Sequence, residues 1–377
     1  MVTTIRPWGE PPWRGTTVPT RTLECSTPEV AIIGGGFTGV SAAYHLARRG
    51  IRSIVLEAGR LGDGASGRTG GIVLEGTARG IREGADRCVP TLAEVVREAA
   101  IDCDLRLPGC WEIAHGGNAE GGVLPWRDDD REIRIVRTVP GGTVEPMALL
   151  TQLALAATKA GAIFCEHAEV RRLVIAPHPV IEMEGALSGV TVRPRLVIVA
   201  VNAWTSHLLP VVRPVQSALT FACATEPLTA DILDEIGLGA GIPFYTVDTP
   251  YLWGRQTQDL RVIFGAGLTY GPPEVLEGVD LDAAEPAAAL ARLEARVHRL
   301  NPALRKVRIT HRWAGPVAIP ADGVPLIGHL PQAPAILVAG GYSGHGVALS
   351  IWMGRLMALG ILEGKPFPAW GATDLSK

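Results

Sequence analysis

The residues of this sequence whose types and spacing point to chemistry are mostly glycines, gathered in three turns. The first turn is Gly34-Gly35-Gly36-Phe37-Thr38-Gly39, followed further on by an acid, Glu57. In such a pattern Gly34 permits the sharp exit from a strand. Gly36 lets the backbone approach a pyrophosphate, and Gly39 lets the next helix pack against the sheet. The N–H groups at that helix start face phosphate oxygens, and Glu57 is placed to accept hydrogen bonds from both ribose hydroxyls. This is the chemistry of holding a dinucleotide, and it makes redox work the leading reading. A glycine fingerprint alone is weak evidence, but strand, helix, second strand and acid occur together here at the expected spacing.

The elements that must position these residues are legible around them. Val30 to Ile33 read as a buried parallel strand. A helix follows from about Thr38 to Arg49, with Val40, Ala43, Tyr44 and Ala47 at helical spacing, and Gly50 ends it. Arg52 to Leu56 form the second strand. The second turn, residues 60–71, holds five glycines in twelve residues, a loop able to approach something flat or charged closely. The third, Gly340 to Gly346, follows a strand at Ile336 to Ala339 and opens a helix that runs to about Leu359. NAD and FAD both fit the first turn. An NAD enzyme would normally continue straight into further strand–helix units and has no need of the second turn. The third would aim a helix N-terminus at the N1–C2=O edge of an isoalloxazine. The chain as a whole therefore points to FAD.

With 377 residues, 47% hydrophobic and 19% charged, the chain is long enough for two or three globular units. A net charge of −3 implies no nucleic-acid partner. No secretory leader is recognisable at the start, and no apolar stretch reaches membrane-spanning length without charges, glycines or prolines. The six cysteines show neither CxxC pairs nor metal-ligand spacing, so the expectation is reduced thiols, a cytoplasmic protein and no metal. The opening residues are rich in Pro, Trp and Arg and read as an extended arm, since Trp8 and Trp13 need somewhere to bury.

GASGRTGG at 64–71, GYSGHGV at 341–347 and the entry Val30 to Gly39 together resemble the FAD-dependent amine and amino-acid oxidase superfamily. In motif they are most similar to its gamma-glutamylputrescine oxidase branch, as are VNAWTSHLLPVVRPV, TEPL and WAGPVAIPADGVPLIGH. The resemblance covers most of the chain in order. Thr69 departs from it, standing where that branch more often has Asn, and the hairpin around 176–189 is trimmed. It implies an α/β fold, in which a Rossmann-like FAD-binding domain is interleaved with an antiparallel-sheet substrate domain. The arm would take residues 1–24. The FAD-binding domain would take 25–80, 141–205 and 312–377, and the substrate domain 81–140 and 206–311.

The same resemblance implies the cofactor contacts. From the first half these are Gly34, Gly36, Phe37, Thr38, Gly39, Glu57, Ala58, Gly64, Ala65, Ser66, Arg68, Thr69, Gly70, Gly71 and Ile72. Val170 would meet the adenine, and Asn202, Ala203 and Trp204 would lie beside the cofactor. Gly315, Gly341, Ser343, Gly344, Gly346 and Val347 complete the set. The activity implied is oxidation of a CH–NH bond of a small amine or amino acid to an imine, with reoxidation by O2 or another acceptor. Trp313 to Gly328 holds no cysteine, so the FAD is expected to be non-covalent. No lysine occurs in Val262 to Gly265, where some relatives place one that promotes reaction with O2.

Candidate catalytic residues are few, because the flavin carries the hard chemistry. His345, between two glycines, is placed to contact the flavin, and Tyr342 to stand over the substrate. Tyr251, Trp253 and Arg255 fall on one face of a strand by alternation. Arg255 would then either grip a carboxylate or be an exposed strand-end residue. Arg68 faces the pyrophosphate or the flavin, or makes a surface salt bridge. His115, His167, His178, His207 and His311 show no clustering, and Asp128-Asp129-Asp130 reads as a solvated loop. Two other classes stay open on these residues: a non-catalytic FAD-binding subunit of a hetero-oligomer, and an NAD-linked reductase. Substrate identity and oligomeric state are not written in the pattern.

Overall fold

A computed structural model describes residues 7–117, 121–175, 178–372 and 375. Residues 1–6 of the arm, 176–177 of the trimmed hairpin and the C-terminal Lys377 lie outside the described residues.

The apolar, β-branched strand Val30–Ile33 pairs in parallel with Ser53–Leu56 on one side and Leu196–Val199 on the other. Ile163–Cys165 extends the sheet at one edge, and Ala333–Gly340 followed by Leu326–Leu330 extends it at the other. All pairs are parallel except the last hairpin. Strands buried on both faces need no polar alternation, which is why these segments read as continuous apolar runs. One face carries the helices Phe37–Ala47, Pro146–Lys159 and Gly346–Glu363 in a common core. The other carries a three-stranded sheet of Val170–Val174, Val180–Met183 and Thr191–Val192.

Gly346–Glu363 is long and apolar enough to cross a membrane by length and composition. In this fold it is a core helix, buried at Val347 to Gly354, Met357 and Ala358. The only charged residues on it are Arg355, which pairs with Glu94 at 2.7 Å, and Glu363 at its end.

The second layer is an eight-stranded sheet. Its spatial order is Ile309–Pro320, Val215–Thr225, Val262–Tyr270, Trp253–Gln256, Phe244–Thr246, Cys110–His115, Arg131–Val139 and Val123–Asp128. One pair, Phe244–Thr246 with Cys110–His115, is parallel and the rest are antiparallel. The helix Ala284–Leu300 closes its outer face through Leu290, Leu293 and Val297. The chain thus alternates between two sheets, giving the expected interleaved α/β architecture.

Two details differ from the expected division. The break at 312 falls inside Ile309–Pro320, which pairs with Val215–Thr225 along its length, so by sheet membership the return to the parallel sheet comes after Pro320. The helix Cys88–Glu98, placed with the substrate unit, packs through Cys88, Leu92 and Val95 into the core of the parallel-sheet unit. Glu75 of the preceding loop caps its start.

The arm straps both units together. The Trp8 indole, fully buried, donates to Leu276 O, and the Trp13 indole donates to Gly67 O. Further on, Arg21 N donates to Phe164 O at the edge of the parallel sheet.

Candidate active site

The first turn is built mainly from main-chain groups. Gly34 has φ +105°, and a Cβ on Gly39 would overlap the Gly34 carbonyl. Both positions therefore demand glycine, Gly34 for its backbone conformation and Gly39 for helix-to-strand packing. Glu57 ends the second strand with both carboxylate oxygens on turn amides, Oε2 accepting from Gly35 N at 2.8 Å and Oε1 from Gly59 N at 3.0 Å. Ser66, in the short helix Ala65–Arg68, accepts from Phe37 N at 2.9 Å, so the second turn folds over the first.

The third turn joins them from across the sheet. Asn202 adopts φ +46° and its Oδ1 accepts from Gly341 N at 3.0 Å. Ser343 adopts φ +50° and its amide donates to Ala318 O. Tyr342 was expected over the substrate. It lines the cleft, largely buried, and its hydroxyl shares a 2.5 Å hydrogen bond with Thr38. That bond ties the starts of the two helices Phe37–Ala47 and Gly346–Glu363.

These turns border one cleft of about 640 Å³. Of the anticipated cofactor residues, Gly34, Gly36, Phe37, Thr38, Glu57 and Ala58 line it, as do Gly64, Ala65, Ser66, Arg68, Thr69, Gly70 and Ile72. So do Val170, Asn202, Trp204, Gly315, Ser343, Gly344, Gly346 and Val347, and of the catalytic candidates His345, Tyr342, Tyr251 and Trp253. Gly39, Gly71, Ala203 and Gly341 are not among the lining residues. Arg255 is also outside the lining.

The arginines behave differently from expectation. Arg68 turns its guanidinium to main-chain carbonyls, donating to Asp63 O at 3.0 Å and Gly9 O at 2.8 Å, and lies over the Trp8 ring. It lines the cleft and at the same time fixes the arm to the glycine loop. Arg255 is neither a carboxylate clamp in the cleft nor an exposed strand end. It is 2% exposed, donates to Gly70 O and Gln256 O, and lies over the Trp13 ring. Burial lowers its pKa to about 10. Trp253, two residues before it, lies against Gly70 and Gly265, where any Cβ would overlap the indole.

The dinucleotide-plus-flavin reading can be tested on these groups. Two long helices start at one cleft, neither has an acid in its first turn, and Ser66 takes only the first amide, Phe37 N, of one of them. Their exposed amide ends suit negative charge at two separated places, a pyrophosphate and an electron-rich ring edge. Ser343 Oγ, on the cleft wall, is buried with no hydrogen-bond partner in the protein. The residues present therefore fit FAD. Neither cysteine nor lysine lines the cleft, and among the described residues no group of three or more His, Cys, Asp or Glu is arranged for a metal.

His345 stands at the N-cap of Gly346–Glu363, its ring edge-on to Tyr245 at 6.1 Å between centroids. Burial holds its pKa below the usual imidazole range, against the opposing pulls of the Ser343 carbonyl and Glu112. It is therefore neutral at pH 7.

Two side-chain groups were not foreseen. In the first, Arg137 grips Glu112 with two hydrogen bonds of 2.6 and 3.1 Å, and Tyr245 Oη donates to the same carboxylate at 2.7 Å. Burial raises the Glu112 pKa, but these bonds outweigh it and leave the acid below its usual range.

The second corrects two expectations, since His115 is clustered and Asp128 is not in a solvated loop. His115 Nε2 meets Asp128 Oδ2 at 2.7 Å and its Nδ1 meets Asp248 Oδ1 at 2.9 Å. Arg296 donates to Asp128 and to the carbonyls of Pro250 and Tyr251. This network holds the loop that carries Tyr251 to the cleft mouth. A signal for it existed: Leu124, Trp126 and Asp128 share one phase of the strand alternation, and all three are buried.

Fold and cleft together define a flavin-dependent oxidoreductase, and comparison with known proteins names the family. Residues 29–359 match the family described as DAO, FAD dependent oxidoreductase, and the chain belongs to it. It is 30% identical to gamma-glutamylputrescine oxidoreductase of Escherichia coli, over 89% of this chain and 84% of that one. Glycine oxidase of Geobacillus kaustophilus is 24% identical, over 88% of this chain and 92% of that protein. The crystal structure of the Geobacillus enzyme superposes with a TM-score of 0.71 at 22% identity, covering 90% of this chain and 96% of that one. L-proline dehydrogenase from P. horikoshii gives 0.70 at 20% identity, over 91% and 95%. The protein is thus an FAD-dependent enzyme.

Proposed function

We propose that this enzyme oxidises a CH–NH bond of a small amine or amino acid to an imine. The observation that carries the reading is the cleft itself: two helix starts free of acids on its floor, roofed by Tyr245 and Trp253 from the eight-stranded sheet and by Tyr251 from the loop before Trp253. The names of two relatives, a gamma-glutamylputrescine oxidoreductase and a glycine oxidase, support a nitrogen-bearing substrate.

Bound FAD would supply the two-electron acceptor, taking a hydride equivalent from the carbon beside nitrogen. The residues of the chain orient and protect. The start of Phe37–Ala47 and Glu57 would hold the pyrophosphate and the ribose. The start of Gly346–Glu363 would face the ring edge that gains negative charge on reduction. Tyr251 and Trp253 would cover the reacting carbon and exclude water. His345, neutral through burial, adds no positive charge against an amine. Water then hydrolyses the imine outside the cleft.

FAD held without a covalent bond is the reading favoured by a cleft with no cysteine in its lining. O2 or another acceptor takes the electrons. Six unpaired cysteines, five of them buried, agree with a reducing compartment such as the cytoplasm. The test is anaerobic reduction of the purified yellow protein by primary, secondary and polyamine substrates and by amino acids, followed by admission of air. Bleaching by one class supports the reading, and fast recolouring marks an oxidase. A flavin that stays oxidised against every amine and amino acid removes it.

A further inference from the structure

Beyond the roof of the cleft lies a second cavity of about 900 Å³. The two cavities share Leu74, Tyr245, Tyr251 and His345, so they meet at these four side chains. The wall of the second is partly apolar: Ile81 and Val247 stand on it, 61% and 51% exposed. Exposed apolar side chains on the wall of an open cavity suit the methylene stem of a ligand.

Its charges are uneven, with Glu75, Glu112 and Asp248 set against Arg137. Glu75 caps the helix Cys88–Glu98 and Asp248 holds His115. Glu112 differs in position, because its Tyr245 partner also lines the flavin cleft. A carboxylate offers about four acceptor directions. The hydrogen bonds from Arg137 and Tyr245 occupy three of them. A walled, net-acidic space attracts cations more strongly than the same charges would in open water.

We propose that the second cavity is the tail pocket for an elongated amine carrying a second cationic nitrogen, and that Glu112 is the residue that receives that nitrogen. The proposal rests on the CH–NH reading above: one nitrogen flanks the carbon that is oxidised, and the other lies past Tyr245. A carboxylate-ended tail of equal length meets the wrong sign of charge.

The experiment uses the FAD-loaded protein with three probes of matched length, hexylamine, hexamethylenediamine and ε-aminocaproate. Binding is read by calorimetry and turnover by anaerobic flavin bleaching. The diamine is expected to bind about tenfold tighter than hexylamine, the effect of one charge-assisted hydrogen bond, and the aminocarboxylate more weakly than either. Glu112→Gln brings the diamine's advantage below about twofold, and Glu112→Asp keeps most of it. Ile81→Trp, on the exposed wall, narrows the pocket and weakens the diamine without touching the carboxylate. It decides the matter if Glu112→Gln fails to fold.

Tight binding of ε-aminocaproate, or a diamine advantage that survives both Glu112→Gln and Ile81→Trp, overturns the proposal. If no probe and no other amine bleaches the flavin, the CH–NH reading fails, while the calorimetric order still tests the pocket.

Discussion

At the nucleotide end of the cleft, recognition rests on the main chain. Glycines at 34, 36 and 39 remove side chains, helix amides point inward, and Glu57 is itself held by amides. At the roof end the same cleft is bounded by side chains held by other side chains: Tyr245 by Glu112, Glu112 by Arg137, and the Tyr251 loop by Arg296. The first construction is local, strict and tolerant of little change. The second is assembled from distant strands and can change its members while the fold persists. A cofactor common to many enzymes suits the first, and a substrate particular to one enzyme suits the second.

The largest expected effect is at the strict end. Gly39→Val puts a branched side chain onto the Gly34 carbonyl and Ile32. No rotamer relieves a clash that begins at Cβ. The outcome is loss of FAD from the purified chain, read as the flavin-to-protein absorbance ratio, or loss of soluble protein. A yellow, stoichiometric Gly39→Val variant would break the contrast at its stronger side.

At the roof end, Arg296→Met should be damaging in another way. Arg296 and Asp128 are 11% and 3% exposed, and removing the cation leaves a buried carboxylate with His115 as its remaining side-chain partner. Breaking such a pair costs about 3 kcal/mol. The expected result is a lower thermal midpoint, a raised KM as the Pro250–Tyr251 carbonyls lose their donor, and unchanged FAD content. Arg296→Met combined with Asp128→Leu should recover part of the stability. Loss of FAD with Arg296→Met would show that the two ends are not separable.

The contrast also explains what the sequence made legible. The first turn was readable because each of its demands is local: Gly34 for φ, Gly39 for packing, Glu57 at a strand end. The strand Val30–Ile33 was readable for the same reason, as a short run of apolar residues buried on both faces. Tyr245 and Glu112 lie 133 residues apart, and nothing in either neighbourhood announces the other.

Arg255 shows a subtler failure. Alternation correctly places Trp253 and Arg255 on the same side of Trp253–Gln256. The 70–71 loop passes over that side, however, leaving Trp253 at the cleft and sealing Arg255 beneath Gly70. The Tyr342–Thr38 bond was not legible, because a turn sequence does not reveal which hydroxyls meet once two turns come together.

A third effect belongs to the helix Phe37–Ala47. Its His45 is largely buried, with Nε2 unpartnered. Burial first, then the charges of Arg355 and Arg48, bring its pKa down to about 4 from 6.5. The unfolded chain therefore binds this proton more readily than the folded one. The stability tied to neutral His45 is complete above pH 6.5 and is lost as pH falls towards about 4, by at most about 1.4 kcal/mol per pH unit. His45→Gln should flatten that part of the stability–pH curve relative to the parent, measured by urea unfolding. An unchanged slope would mean that His45 is protonated in the fold.

The smallest effect tests a place where the nucleotide end depends on a pair of side chains. Tyr342 and Thr38 are 304 residues apart and buried, and their hydroxyls meet at 2.5 Å. Tyr342→Phe leaves the Thr38 hydroxyl without its partner, at a cost of about 1 kcal/mol. If the bond sets the spacing of the two helix starts, that loss appears as faster FAD release as well as a lower thermal midpoint. If it is only a satisfied pair, the midpoint falls and FAD release does not change. Thr38→Val on the Phe background removes the orphan, because replacing both partners with apolar groups is close to neutral. The double variant should therefore recover the midpoint in either case, and a cycle of the four proteins isolates the coupling. Release that stays fast in the recovered double variant means that the hydroxyl pair, and not the main chain alone, holds the two ends of the cofactor in register.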